Sequence, residues 1–308
     1  MPGAHLMNPF GRLGACAAPP AEGNGALPRR PAAASVPNFI YIGAPRTGST
    51  WLHLNLQRHP DVWVPPCKNI TYFHPRFQIY RVHKFKQHWK EAFVDGDSAT
   101  SDWYRRFFTR PFVDDRWYQD LFPREKTSGE VAEAYCALEP DDVRRLHAMA
   151  PDARIIYVLR NPVERALSQA KLGMVVRRNR RIEEVPAHEF LRHIDSPGSR
   201  ARTRYSRTLD LWSAFFPSRQ MLILFYEDFA KDPRQHLRTI CRFIGVDFDE
   251  RYFGETMRAT AKKSIDGALP DLVVRHAARQ YRDEVAELAA RFGGPARQWQ
   301  RSVEQILS

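Results

Sequence analysis

The chain contains the stretch Asn38-Phe-Ile-Tyr-Ile-Gly-Ala-Pro-Arg-Thr-Gly-Ser-Thr-Trp-Leu52, where an apolar run, a glycine loop and a helix start follow one another. Residues 39–42 are β-branched or aromatic and predict a buried strand. Glycine and proline punctuate residues 43–48, and the pattern from Ser49 to Arg58 predicts a helix that a His-Pro pair ends. A strand, a glycine loop and a helix start together present backbone N–H groups and a positive helix end to an anion. The stretch therefore predicts an anion site within an α/β fold.

The loop differs at one position from the phosphate-binding loop of ATP-dependent enzymes, G-x-x-x-x-G-K-[ST]. Gly43, Gly48 and Thr50 fit that pattern. Ser49 stands where kinases and ATPases place the lysine that contacts the transferred phosphate. Arg46 is the only cation in the loop. These residues leave two interpretations open: a tight turn without a ligand, and an anion site whose positive charge comes from Arg46.

Residues 44–52 resemble the 5′-phosphosulfate loop of sulfotransferases that use 3′-phosphoadenosine 5′-phosphosulfate (PAPS), which typically reads P-[KR]-[ST]-G-[ST]-[ST]-x-L. Arginine is the less common cation in that pattern and keeps the positive charge. The resemblance implies a P-loop-NTPase-like three-layer α/β/α domain with a central, mostly parallel sheet. It also implies that Arg46 is catalytic and that Trp51 lies near the adenine. The donor-binding residues that it implies in this loop are Arg46, Thr47, Gly48, Ser49, Thr50 and Trp51.

A second motif lies far downstream, where the apolar run Arg154–Leu159 predicts a strand. Arg160 follows that strand, Asn161-Pro162 predicts a capped helix start, and Ser168 lies two turns into the helix. Ligands of open α/β sheets bind at the carboxyl ends of the strands. The sequence L-R-N-P-x-E-R-A-x-S resembles the 3′-phosphate site of PAPS enzymes, which implies that Arg160 and Ser168 hold the 3′-phosphate. The alternative is an ordinary capped helix.

The acceptor side departs from the family pattern at one position. Lys68-Asn69-Ile-Thr-Tyr-Phe-His74 follows the first helix, and in similar enzymes a glutamate that acts as general base commonly occupies the position of Asn69. An amide has no useful basicity. The resemblance implies that Lys68 is catalytic, and the candidates for the base are His74 first, then Glu133 and Glu130. A surface role for His74 and a purely structural role for Glu130 are the alternatives.

The remaining segments are interpreted mainly as structural elements of the domain. The basic and aromatic segment Phe77–Phe122 is interpreted either as a lid or acceptor wall or as a solvated face. Lys262 and Lys263 are candidates for adenine or phosphate contact. Periodicity predicts strands at Val62–Val64, Ile70–Phe73 and Met221–Tyr226, and helices at Val82–Phe93, Asp102–Phe108, Asp114–Phe122, Pro140–Met149, Arg202–Trp212, Pro233–Ile244 and Leu269–Phe292.

Length and composition indicate one globular domain. The 308 residues suit one substantial core, predicted as a sulfotransferase domain at 37–295, between a disordered Ala/Pro/Gly-rich leader at 1–36 and a C-terminal tail at 296–308. The apolar runs are far shorter than the ~20 residues that a membrane span needs. The leader lacks the continuous apolar region of a secretory signal.

Cysteine usage and charge limit the compartment and the partners. Cys16, Cys67, Cys136 and Cys241 have neither C-x-x-C nor Cys/His ligand spacing, which argues against a disulfide framework or a zinc site and favours a reducing, cytoplasmic location. Lys and Arg number 47 against 35 Asp and Glu, a net charge of +12 that suits a polyanionic or multiply phosphorylated partner. No helix-turn-helix, zinc-finger or RNP signature points to nucleic acid.

Together these observations predict an enzyme that transfers the sulfuryl group of PAPS, its co-substrate, to a hydroxyl group. The acceptor is a carbohydrate, a glycolipid or a small molecule. No metal is expected, because the leaving group carries a single 5′-phosphate and no β/γ pair that needs Mg²⁺. Two alternatives stay open: a P-loop kinase that acts on a small molecule, and a polyanion-binding relative that has lost catalysis because of Asn69.

Overall fold

The structure is a computed structural model that describes residues 36–94, 98–110, 112–258 and 267–308. The predictions for residues 1–35 of the leader, for Cys16, and for Lys262 and Lys263 lie outside the described residues. None of the described helices combines the length and the apolar character that a membrane crossing requires.

One sheet of five parallel strands organises the described part of the chain. The strands are β1 (Phe39–Gly43), β2 (Val62–Trp63), β3 (Thr127–Val131), β4 (Arg154–Leu159) and β5 (Met221–Phe225). Their order across the sheet is β2-β3-β1-β4-β5, so the first strand lies in the middle. Every pairing between neighbours is parallel, which requires the long crossover connections that the chain provides.

Helices connect the strands and cover both faces of the sheet. Pro140 begins one helix at its first position, and Gly245 ends another in left-handed conformation. Among the described residues the α-helices are α1 (Ser49–Leu56), α2 (Phe77–Phe93), α3 (Ala99–Thr109), α4 (Asp115–Gln119), α5 (Pro140–Met149), α6 (Pro162–Lys171), α7 (Ala187–Asp195), α8 (Pro197–Ala201), α9 (Tyr205–Ser213), α10 (Tyr226–Lys231), α11 (Pro233–Ile244), α12 (Glu255–Arg258), α13 (Asp271–Phe292) and α14 (Gly294–Leu307).

The sheet separates two hydrophobic cores. Ile40 and Ile42 of β1 pack into the core that α6, α9 and α13 cover. Phe39 and Tyr41 pack into the core that α1 and α11 cover. Successive residues of a strand point to opposite faces, so each central strand contributes to both cores. This arrangement confirms the predicted three-layer α/β/α class with a parallel sheet.

The strand order places a ligand-binding position between β1 and β4. The connection from β1 through α1 leads to β2 on one side of the sheet, whereas the connection from β4 through α6 leads to β5 on the other side. Ligands of open α/β sheets bind at the carboxyl ends of two strands whose connections diverge in this way. The loop after Gly43 and the Arg160 that follows β4 both lie at this position.

The predicted strand at Ile70–Phe73 does not form. Asn69 and Thr71 have φ angles of 63° and 59°. These left-handed conformations cannot continue an extended run. The Asn69 N–H donates a hydrogen bond to the carbonyl of Val131 at 2.8 Å. Residues 68–73, which we call the strap, therefore lie in irregular conformation against the end of β3.

The sequence pattern does not predict β3, although β3 pairs directly with β1. Two of its five residues, Gly129 and Glu130, are of types that strands usually avoid. Gly129 is needed because the ring of Phe39 packs against it: a Cβ at this position would lie 2.2 Å from the ring. Close approach of a neighbouring strand's side chain therefore explains a glycine inside a strand.

The segment predicted as a C-terminal tail is helical and belongs to the domain. Trp299 of α14 is buried, and its ring centroid lies 5.5 Å from that of Phe225. Its indole N–H donates to Oε1 of Glu227 at 2.7 Å. The same oxygen accepts a 3.5 Å hydrogen bond from the backbone N–H of Asn161, the residue that caps α6. Through these contacts α14 supports the start of α6.

Glu130 of β3 fixes the irregular strap. Its side chain is fully buried and accepts hydrogen bonds from the backbone N–H of Thr71 (2.8 Å), the hydroxyl of Tyr118 (2.7 Å) and the hydroxyl of Tyr135 (3.2 Å). Burial raises the pKa of this carboxyl to about 7, although the hydrogen bonds act in the opposite direction. Glu130 thus has a structural role.

We expect Glu130→Gln to change the pH dependence of stability. A carboxyl whose pKa is raised on folding binds its proton more tightly in the folded state. The contribution of Glu130 to the free energy of unfolding is therefore complete below the unfolded pKa of about 4.5, and it is lost as pH rises through about 7. Between pH 5 and 8 the free energy of unfolding of the native protein should fall by up to about 3 kcal/mol relative to the variant.

Urea unfolding at a series of pH values measures this difference. The matched control is Glu125→Gln on the exposed surface, which should run parallel to the native protein. A constant difference between Glu130→Gln and the native protein across this pH range would contradict the assignment.

Candidate active site

The loop between β1 and α1 is held by its own hydrogen bonds. The N–H of Ala44 donates to the carbonyl of Val158 at 2.8 Å, which joins the start of the loop to β4. The hydroxyl of Thr47 donates to the carbonyl of Ala44 at 2.6 Å and contacts the hydroxyl of Tyr41. Thr47 is buried, so its side chain closes the loop from inside.

Gly48 allows the loop to turn into α1. Its φ angle is 86°, and a Cβ at this position would lie 2.8 Å from the ring of Phe229. Both facts require glycine. The first turn of α1 contains no acidic residue, and no side chain caps its N–H groups. A helix start of this kind favours an anion through its N–H groups and its dipole.

The loop and the second motif meet at this edge of the sheet. Arg46 donates from Nε to the hydroxyl of Ser168 at 3.0 Å. Arg160 donates from Nη1 to the backbone carbonyl of Arg46 at 3.2 Å. The two sequence motifs, which come from separate parts of the chain, therefore form one group of side chains.

Positive charge is concentrated in this group. Burial and then the neighbouring guanidinium of Arg160 lower the pKa of Arg46. Arg160 lies 4.6 Å above the ring of Tyr226 and pairs with Glu164 at 3.0 Å, which orients it. The side-chain hydrogen bond of Arg46 goes to the Ser168 hydroxyl, and the Glu133 carboxylate partly offsets the effect of burial and of Arg160 on its pKa. Two close guanidinium groups favour a multiply charged anion between or beside them.

A second cluster adjoins the helix start and consists of Ser49, Lys68 and Glu133. Nζ of Lys68 donates to the hydroxyl of Ser49 at 2.8 Å and to Oε2 of Glu133 at 2.9 Å. The Ser49 hydroxyl itself donates to the same Glu133 oxygen. Burial would raise the pKa of Glu133, but Lys68, the Ser49 hydroxyl and Arg46 together lower it. Glu133 is therefore an ionised carboxylate beside the loop.

Asn69 positions Glu133 and cannot act as the base. Its side-chain oxygen accepts a 3.0 Å hydrogen bond from the backbone N–H of Glu133. Asn69 therefore holds the backbone of the segment that carries the Glu133 carboxylate. The available signal in the sequence was Glu133 itself, which ranks after His74 among the candidates for the base predicted from sequence.

His74 contacts residues other than those of the two clusters. In the described chain its Nδ1 accepts the backbone N–H of Arg76 at 3.0 Å, and its ring packs edge-on against Tyr80 at 5.2 Å. Burial, Arg202 and Arg76 lower its pKa to about 4, so the ring is neutral at physiological pH. The catalytic role of His74 stays a prediction.

Trp51 packs against α10 and α12. Only 6% of its surface is exposed, its ring lies 4.7 Å from Phe229, and its indole N–H donates to the carbonyl of Met257 at 3.3 Å. These contacts give it a role in packing, and its contact with adenine stays a prediction. Thr50, in contrast, is partly exposed at the start of α1.

The arrangement suits anion binding followed by transfer to a hydroxyl group. It combines N–H groups, two guanidinium groups, an ammonium group and an ionised carboxylate at one edge of the sheet. Across the residues that the structure describes, no group of three or more His, Cys, Asp or Glu side chains is arranged to hold a metal ion.

Comparisons with known proteins relate the chain to sulfotransferases. The sequence model of the Sulfotransferase family matches residues 37–250. Human heparan sulfate glucosamine 3-O-sulfotransferase 6 is 30% identical over 138 residues, which make up 42% of this chain and 39% of that protein. Mouse bifunctional heparan sulfate N-deacetylase/N-sulfotransferase 2 is 26% identical over 313 residues, which make up 89% of this chain and 32% of that protein. The chain thus spans less than half the length of these curated relatives.

Solved structures share the fold. The sulfotransferase from Alicyclobacillus acidocaldarius superposes with a TM-score of 0.57 at 24% identity and covers 86% of this chain and 99% of its own. The sulfotransferase domain of the Synechococcus PCC 7002 olefin synthase gives a TM-score of 0.51 at 19% identity, with coverage of 80% and 94%. Because the family match extends over more than half of the chain, the protein belongs to the sulfotransferase family.

Proposed function

We propose that the protein transfers the sulfuryl group of PAPS to a hydroxyl group of a carbohydrate, glycolipid or small-molecule acceptor. The observation that carries the proposal is the contact between the two motifs. Arg46 lies 3.0 Å from Ser168, and Arg160 lies 3.2 Å from the carbonyl of Arg46. One nucleotide with phosphates at both the 5′ and 3′ positions can therefore touch both motifs.

The residues at this edge fit such a donor. The N–H groups of residues 46–50, the Arg46 guanidinium and the Thr50 hydroxyl would bind the 5′-phosphosulfate. Arg160 and Ser168 would bind the 3′-phosphate and so distinguish PAPS from ATP. Arg46 and the helix start also stabilise the negative charge that develops on the bridging oxygen as the sulfuryl group leaves.

Glu133 is the best placed general base. In the transfer, the acceptor oxygen forms a bond to sulfur while the bond between sulfur and the 5′-phosphate oxygen breaks. The proton of the acceptor hydroxyl passes to the Glu133 carboxylate. Lys68, 2.9 Å from that carboxylate and 2.8 Å from Ser49, keeps it ionised and adds positive charge beside the loop. This order reverses the prediction from sequence, which ranked His74 above Glu133.

The two alternatives are less well supported. A kinase needs its loop lysine at position 49, and Ser49 instead hydrogen-bonds with Lys68 and Glu133. A polyanion-binding relative without catalysis was favoured by Asn69, but Glu133 supplies a carboxylate next to the same segment.

The first test is sulfuryl transfer from labelled PAPS to a panel of phenols, sugars, glycolipids and peptides. We expect Arg46→Ala to lower turnover by about 100-fold or more, the usual loss when a group that stabilises transition-state charge is removed. Arg46→Lys should retain most of the activity because it keeps the charge.

The control for this test is Arg301→Ala, which changes an exposed arginine of α14 and should leave turnover unchanged. Full activity in Arg46→Ala would contradict the proposed role of Arg46 in binding the donor. Phosphate transfer from ATP with Mg²⁺ would support the kinase instead.

The second test concerns the base. Glu133→Gln should lower kcat by about 100-fold or more while leaving donor affinity near that of the native protein. His74→Gln should reduce kcat only several-fold. The pKa of Glu133 is below its usual 4.5, and its active form is the ionised one, so the native protein should keep its activity from pH 8 down to about 5.

Steady-state kinetics over this pH range, with donor affinity measured separately by calorimetry, decides the assignment. An active Glu133→Gln protein together with an inactive His74→Gln protein would transfer the role to His74.

A further inference from the structure

Helix α2 exposes an unusual amount of apolar surface. Half of the large hydrophobic side chains that are exposed in the described part of the chain lie on this one helix. We call these five residues the α2 stripe: Ile79 (66% exposed), Val82 (57%), Phe85 (43%), Trp89 (43%) and Phe93 (49%). Exposed apolar side chains that gather on one element mark an interaction surface, whereas scattered ones do not.

The α2 stripe forms one face of the helix. At 3.6 residues per turn its five side chains fall within an arc of roughly 120°. The opposite face holds the helix to the domain. There Phe77 is buried and the ring of His88 stacks on Tyr104 at 4.8 Å, while Ala92 is buried at the margin of the stripe beside Phe85. Phe85 also contacts the ring of Phe108 of α3 at 5.3 Å, so the stripe borders α3 on one side, and all five of its side chains remain exposed.

Positive charge accompanies the stripe. Helix α2 carries four basic side chains, Arg81, Lys84, Lys86 and Lys90, against one acidic side chain, Glu91. Lys86 and Lys90 are exposed and lie along the edge of the stripe. Tryptophan and phenylalanine on an exposed helix face, flanked by lysines, are typical of helices that lie in a membrane interface next to anionic lipids.

We propose that α2 docks the protein on an anionic membrane surface. The α2 stripe enters the headgroup region, and Lys86 and Lys90 contact lipid phosphates. A second copy of the chain is a poorer partner, because a symmetric contact through this face would bring the basic groups of both helices together. The proposal concerns the exposed face of α2 and does not depend on the proposed reaction.

The experiment is co-sedimentation of the full chain with vesicles of phosphatidylcholine alone or of phosphatidylcholine mixed with phosphatidylglycerol. The native protein should bind the mixed vesicles, bind the neutral ones weakly, and lose binding as salt increases. Trp89→Ser/Phe93→Ser and Lys86→Glu/Lys90→Glu should each weaken binding by about tenfold or more. Circular dichroism and thermal unfolding should show that both variants keep the native fold, since all four side chains are exposed.

The matched control is Lys231→Glu/Arg301→Glu, which makes the same change of charge on α10 and α14 and should bind like the native protein. Absence of binding to the mixed vesicles, or equal loss in the control, would overturn the proposal. A dimer in analytical ultracentrifugation without lipid that Trp89→Glu dissociates would assign the stripe to a second copy and would also overturn it.

Discussion

Parallel pairing of β1 with β4 is the constraint on which the site depends. The register sets Gly43 opposite Tyr157, and the N–H of Ala44 continues the ladder by donating to Val158. Because both strands end at the same edge, the loop after one and Arg160 after the other must lie side by side. The side chains of Arg46 and Ser168 are then close enough to form a hydrogen bond. The backbone hydrogen bonds between β1 and β4 thus determine which functional side chains can meet at the site.

The proposed acceptor side combines groups from two segments of the chain. The strap after β2 carries Lys68, which contributes its ammonium group, while Asn69 contributes only a side-chain oxygen that holds the backbone of the next segment. Glu133 supplies the carboxylate from that segment. A buried acid, Glu130, keeps the strap in its left-handed turns. The Glu133 carboxylate is paired with Lys68, as a partly buried anion requires.

Sequence patterns predicted the scaffold well where capping residues or continuous apolar runs were present. Pro140–Met149, Arg154–Leu159 and Pro233–Ile244 have the predicted bounds, since proline, glycine and buried strand residues act locally. The strand Thr127–Val131 was missed because its side chains are small and polar and its formation depends on a neighbour. The donor motifs could be placed from their order along the chain. The hydrogen bonds of Glu133 could not, because they depend on how far the strap folds back, which no local pattern encodes.

The central claim is that one nucleotide bridges the loop and the Arg160–Ser168 pair. The most direct measurement is a crystal structure of the protein with adenosine 3′,5′-bisphosphate. The account predicts the 5′-phosphate within hydrogen-bond distance of the N–H groups of residues 46–50, and the 3′-phosphate within that distance of Arg160 and Ser168. A nucleotide bound at another edge of the sheet, or held with its 3′-phosphate away from both side chains, would contradict it.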